Sequence, residues 1–256
     1  MPIGLLKTIK DFYIPQLKTK RRIWIYLPPE YENSQKRYPV LYMHDGQSLF
    51  AENLSYDGSW HVDTIIDKLF NNKKTEGVII VAVDNAGKNR MREYNPWEDM
   101  GGRGQLYSDF LIQTLKPYID DSFRTMSQRE YTGIMGSSMG GYISTYIALK
   151  NQDIFSKVGL LSPAYWLYTE QLNIFLKNAL ITKPMKIYLS VGTKEGDEER
   201  SNQYLKETKA TYDILSDKIG DKIDDGNDIK LDIIQNGTHS ASEWSKTFEA
   251  AFTWLY

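Results

Sequence analysis

Gly136-Ser137-Ser138-Met139-Gly140 sets a serine between two glycines in the frame G-x-S-x-G, with Ser138 at its centre. Ser137 fails that frame, because Met135 and Met139 stand where glycines are needed. The spacing has a steric cause. A sharp turn from strand to helix strains the central residue, and side chains on its flanks would collide. Such a turn lifts the serine Oγ above a sheet, where it can attack a carbonyl once a base takes its proton.

The chain offers three histidines as that base. His61 falls in the helical pattern WHVDTIIDKLF beside Trp60, as a surface or capping residue. His44 ends the run YPVLYMHD and suits the scaffold of an early loop better than a base. His239 lies in QNGTHSASEW, after the last strand pattern and before the last helix, where a base for Ser138 must be. An acid that orients the histidine should come between the two, just past a strand. In MKIYLSVGTKEGDEER the strand pattern stops near Val191 and Glu195 is the first carboxylate. Asp197 is the alternative acid, followed by Glu198 and Glu199, which also suit the first turn of a helix. The developing oxyanion needs fixed donors. One is the Met139 N–H, next after the serine. The other belongs to the loop HDGQSLF, where Gly46 allows close approach and Gln47 is the expected donor.

These residues need a scaffold that brings them to one edge. The runs RRIWIYLP, YPVLYMHD, GVIIVAVD, YTGIMGSS, KVGLLSP, MKIYLSVG and IKLDIIQNG are compact and apolar or alternating, as strands are. Between them lie helical patterns; Val62, Ile65, Ile66 and Leu69 form one apolar stripe. Strands alternating with helices predict a mostly parallel, doubly wound α/β sheet, a single domain over residues 1–256. Ligands of such sheets bind beyond the carboxyl ends of the strands, where the residues singled out above fall.

The composition is that of an ordinary globular protein: 256 residues, 41% hydrophobic, 25% charged, net charge −2. No long block of one sign suggests nucleic acid or a membrane surface. With no cysteine, disulfides and thiol chemistry are excluded, and three dispersed histidines offer no metal-ligand spacing. No cofactor or metal is expected. The opening MPIGLLKTIKDFYIPQLK has no continuous apolar core, and no segment reaches membrane-span length, so a soluble, cytoplasmic protein is expected. Oligomeric state is left open.

The motifs together resemble the "Putative esterase" family of α/β-hydrolases, which holds esterase D, enterochelin esterases and feruloyl esterases. The resemblance rests on IWIYLPPEY, YPVLYMHDGQSLF, DNAGKNRMREYNP, GIMGSSMGGYIS, LSPAYW, YLSVGTKEG and GTHSASEWSKTFEAAFTWLY, in that order. It implies an α/β-hydrolase fold, Ser138 as nucleophile, His239 as base, and Glu195, three residues after Gly192, as acid. Many members carry aspartate there, which keeps Asp197 in view. The HDGQ loop and Trp244, five residues after His239, look most like the enterochelin-esterase branch. The expected activity is that of a serine carboxylesterase on a small or aromatic-acyl ester. The alternatives are an acyltransferase with the same triad, a siderophore trilactone esterase, and a binding protein without catalysis. Aromatic and arginine residues near the site, among them Trp60, Arg90, Arg92, Trp97, Tyr165 and Trp166, are candidates for the substrate wall. Of these Trp97, Arg92, Tyr165 and Trp166 are the expected substrate contacts, with Arg92 and Glu93 alternatively a structural ion pair.

Overall fold

The computed structural model describes residues 3–50, 58–220 and 226–256. Its sheet has eight strands: β1 (Leu5–Ile14), β2 (Thr19–Leu27), β3 (Val40–His44), β4 (Ile79–Val83), β5 (Thr132–Ser137), β6 (Lys157–Leu161), β7 (Lys186–Lys194) and β8 (Asp228–Thr238). They lie in the order β1-β2-β4-β3-β5-β6-β7-β8. β1 and β2 run antiparallel, as do β2 and β4. Every other pairing is parallel. Seven of the strands lie on the runs read from the sequence. β1 does not, because an edge strand open to solvent needs no compact apolar run; most of its residues are exposed or half-buried.

The central strands bury both faces, and alternation decides which face each residue serves. In β3, Val40 and Tyr42 join one apolar cluster while Leu41 and Met43 join the other. Helices α1 (Val62–Asn71) and α8 (Ala241–Leu255) cover the Leu41 side. On the Val40 side lie α3 (Gly104–Phe110), α4 (Lys116–Ser122), α5 (Met139–Lys150), α6 (Thr169–Asn178) and α7 (Glu198–Ile219), preceded in the chain by the short α2 (Arg90–Glu93). With both faces sealed, only the strand ends are open to a ligand. No helix among the described residues is long and apolar enough to cross a membrane.

Glu93 does not pair with its neighbour Arg92. Its buried carboxylate takes both hydrogen bonds from the Arg21 guanidinium, at 2.8 and 2.9 Å, tying α2 to β2. Arg92 instead donates its Nε–H to the Gly101 carbonyl at 3.0 Å. Adjacent residues on a helix do not face each other, so Glu93 finds its cation across the fold rather than in Arg92.

His44 is sealed inside, 2% exposed, where β3 ends. The Ser144 hydroxyl gives its proton to the Gly140 carbonyl at 2.8 Å, so at 3.0 Å it must accept from His44 Nε2–H. Nδ1 then carries the lone pair and accepts from the Tyr107 hydroxyl at 2.9 Å. This is a neutral imidazole with both nitrogens satisfied, and a scaffold residue, as its position at the head of the loop implies. Burial lowers its pKa from 6.5 to about 4. The unfolded chain protonates His44 below pH 6.5 and the folded protein resists until about 4. Its contribution to stability is therefore complete above 6.5 and lost as pH falls through 4, about 3 kcal/mol in all. Chemical denaturation at pH values from 7 to 4 should show this loss, and His44→Gln should flatten that part of the slope. Equal slopes in the two proteins would remove His44 as its source.

Candidate active site

β5 ends in Ser137, and α5 starts at Met139, so Ser138 alone must reverse the chain. It does so with φ 55° and ψ −124°, a conformation that a side-chain-bearing residue adopts only under constraint. The turn is closed by the Ser138 N–H to the Leu161 carbonyl and the Ala164 N–H to the Ser138 carbonyl. Gly136 is needed for close approach: a Cβ there would stand 2.5 Å from the Gly140 carbonyl carbon.

β7 and β8 supply the neighbours of Ser138. Their pairing shifts register between Gly192 and Lys194, opening the end of β7. A side chain at Gly192 would collide with the Gly237 carbonyl, so the two strand ends meet only through glycine. That meeting sets Glu195 against His239. The His239 Nδ1–Glu195 Oε2 distance is 2.7 Å, and His239 Nε2 lies 3.0 Å from Ser138 Oγ. Glu195 has no exposed side-chain surface, and its Oε1 accepts from the Gly192 N–H and the Ser162 hydroxyl, both at 2.6 Å. Asp197 lies apart from this group. It caps α7, accepting from the Arg200 N–H at 2.8 Å, with Glu198 and Glu199 in the first turn behind it.

Aromatic rings hold the imidazole on two sides. The Tyr204 ring lies 4.8 Å from it, tilted by 42°, and Trp244 meets it edge-on at 4.8 Å and 86°. Trp244 also donates its indole N–H to the Ser162 Oγ at 3.1 Å, so the ring and the carboxylate share one support.

The early loop faces the same cleft. Asp45 (φ 57°) turns the chain into Gly46–Ser48. Its carboxylate is gripped by Arg90, at 2.6 Å from Nε and 2.9 Å from a terminal nitrogen, and by the Asn85 amide at 2.7 Å. Burial alone would push this carboxyl up; the Arg90 guanidinium, with the Asn85 amide, outweighs it and holds the carboxyl below its ordinary range. Asn85 returns a backbone N–H to Gln47 Oε1 at 3.1 Å. Among the described residues, the N–H groups of Gln47 and Met139 have no hydrogen-bond partner. A cleft of about 520 Å³ opens here, with Gln47, Arg90, Trp60, Ser138, His239 and Trp244 on its walls.

None of the four expected substrate contacts lines this cleft. Tyr165 is buried, its hydroxyl 2.6 Å from Thr145 Oγ1, and its ring fills the core beneath α5. Trp97 bonds the Tyr142 hydroxyl at 2.7 Å and lines a separate groove with Phe175 and Leu180. Arg92 is exposed. Trp166 lies under the Arg200 guanidinium, 3.4 Å from its ring centroid. Aromatic content alone does not say which rings face a ligand and which cover the sheet. Asp45, Asn85 and Ser162, each just past a strand, were within reach of the strand-end rule. Tyr204, in mid-helix, gives no local signal.

A family model described as "Putative esterase" matches residues 14–255. The "Uncharacterized protein YbbA" of Bacillus subtilis (strain 168) is 28% identical over 247 residues, 92% of each chain. Two solved structures share the fold. The enterobactin esterase FES of Shigella flexneri superposes with a TM-score of 0.75 at 19% identity, over 99% of this chain and 60% of the other. This chain thus spans about six tenths of the length of that enzyme. The ferulic acid esterase AmCE1/Fae1A of Anaeromyces mucronatus gives a TM-score of 0.72 at 19% identity, over 99% and 91% of the two chains. With the α/β-hydrolase sheet already described and the family model spanning nearly the whole chain, the protein belongs to the "Putative esterase" family and is a carboxylic ester hydrolase.

Proposed function

We propose that the protein is a serine esterase that works through an acyl-enzyme, with Ser138, His239 and Glu195 as its triad. One observation carries this reading: an unbroken line of contacts, 3.0 Å from Ser138 Oγ to His239 Nε2 and 2.7 Å from His239 Nδ1 to Glu195 Oε2. Glu195 is the acid in this reading because its carboxylate touches the imidazole, whereas that of Asp197 is committed to a helix cap.

The reaction follows from the geometry. Glu195 holds Nδ1–H, which leaves the lone pair on Nε2, facing Ser138. Ser138 Oγ attacks the ester carbonyl carbon as its proton passes to Nε2. The carbonyl oxygen becomes an oxyanion, received by the unpartnered N–H groups of Gln47 and Met139. The proton then moves from Nε2 to the alcohol oxygen, the C–O bond breaks, and the acyl group stays on Ser138. Water repeats the sequence, giving the carboxylic acid and free Ser138. Trp60 and Trp244, with ring centroids 5.8 Å apart, make one wall of the cleft apolar, which suits a small or aromatic acyl group.

Ser138→Ala should lower kcat on a p-nitrophenyl ester by about 10⁵–10⁶-fold, with the circular dichroism spectrum unchanged. Mass spectrometry should find a fluorophosphonate on Ser138 of the unmodified protein, and an adduct on another residue would reassign the nucleophile. Glu195→Gln should cost about 10⁴-fold in kcat, because it lets the imidazole take the wrong tautomer. Asp197→Asn should stay within about twofold, since asparagine caps a helix nearly as well. The opposite ranking in steady-state assays would pass the role to Asp197.

A further inference from the structure

His239 Nε2 has a second hydroxyl beside it. Tyr204 Oη lies 3.4 Å away, its ring packed at a tilt against the imidazole, while Ser138 Oγ lies at 3.0 Å. Tyr204 is 4% exposed, so its hydroxyl is shielded from bulk water. Burial raises its pKa, against hydrogen bonds from the Trp166 and Ser138 side, and it stays a neutral phenol at ordinary pH. A phenol for ring packing alone would be served as well by phenylalanine; here the polar atom is turned to the one nitrogen through which the proton must pass.

Nε2 of the neutral imidazole has a single lone pair, and the nearer hydroxyl, Ser138, takes it. Once His239 is protonated the demand reverses. Nε2–H then needs an acceptor that remains when Ser138 Oγ is bonded to the acyl carbon and the alcohol oxygen has not yet claimed the proton. Tyr204 Oη has lone pairs free for that purpose.

We propose that Tyr204 is a further catalytic residue, whose hydroxyl oxygen accepts a hydrogen bond from His239 Nε2–H and so keeps the proton available for the departing alcohol. No proton is transferred to Tyr204. The proton leaves Ser138 for Nε2, is shared towards Oη, and goes to the alcohol oxygen as the C–O bond breaks. The inference rests on the serine-esterase reading and adds a selectivity to it. A poor leaving group, an alkoxide, cannot depart without that proton, whereas p-nitrophenolate departs unprotonated.

The test compares kcat/KM, which reports acylation alone, for ethyl acetate and p-nitrophenyl acetate. Tyr204→Phe keeps the ring on the imidazole and removes only the oxygen. It should lose about tenfold on the ethyl ester, the value of one hydrogen bond to a charged group, and less than about twofold on the p-nitrophenyl ester. Tyr204→Ala, which also removes the ring, should lose activity further on both esters. Equal losses on the two esters in Tyr204→Phe would make Tyr204 a packing residue and overturn the proposal, as would no loss on either. Those outcomes leave fluorophosphonate labelling of Ser138 intact; a wild-type protein that is not labelled there overturns the underlying reading as well.

Discussion

A carboxylate with no exposed surface is costly unless its oxygens are fully engaged, and Glu195 meets that condition through three donors. The donors come from three separate places: Ser162 just past β6, Gly192 in β7, and His239 just past β8. A buried acid thereby pins the ends of three adjacent strands to one another. Ser162 pays for this in backbone strain, with φ 42°. The register shift and the glycine-to-glycine approach of β7 and β8 belong to the same constraint, because a larger separation would leave the carboxylate one donor short.

On the other side of Ser138 an ion pair plays the matching part. Asp45 and Arg90 neutralise each other at the cleft wall, and Asn85 links that pair to Gln47. The loop that carries Gln47 is thus held by groups from past β4. In the proposed reaction a Gln47 N–H held this way would need no reorientation as charge develops, which is where such donors gain over water.

The sheet and the grouping of Ser138, Glu195 and His239 at its carboxyl edge were legible because both follow from rules that act locally: apolar runs for strands, glycine frames for sharp turns, and strand ends for ligands. The strand β1 was not, since an edge strand carries no strong pattern. The cleft wall was read less well. Tyr165 and Trp97 are aromatic and lie near the site in sequence, yet their rings fill the core and a neighbouring groove, and only the path of the loops decides that. Tyr204 was invisible for a related reason. One turn in the middle of a 22-residue helix looks like any other until the helix is laid across the sheet.

β8 is the outermost strand on its side of the sheet, and His239 sits one residue past its end. The side chain that would move the proton is therefore attached to the segment with a neighbour on one side only. Proteins open locally as well as globally, in units smaller than the whole domain. An excursion that frees β8 would carry the imidazole away from Ser138 while β3, β5 and β6 stay paired. Local opening at that edge would therefore part the imidazole from the serine before the sheet itself is lost.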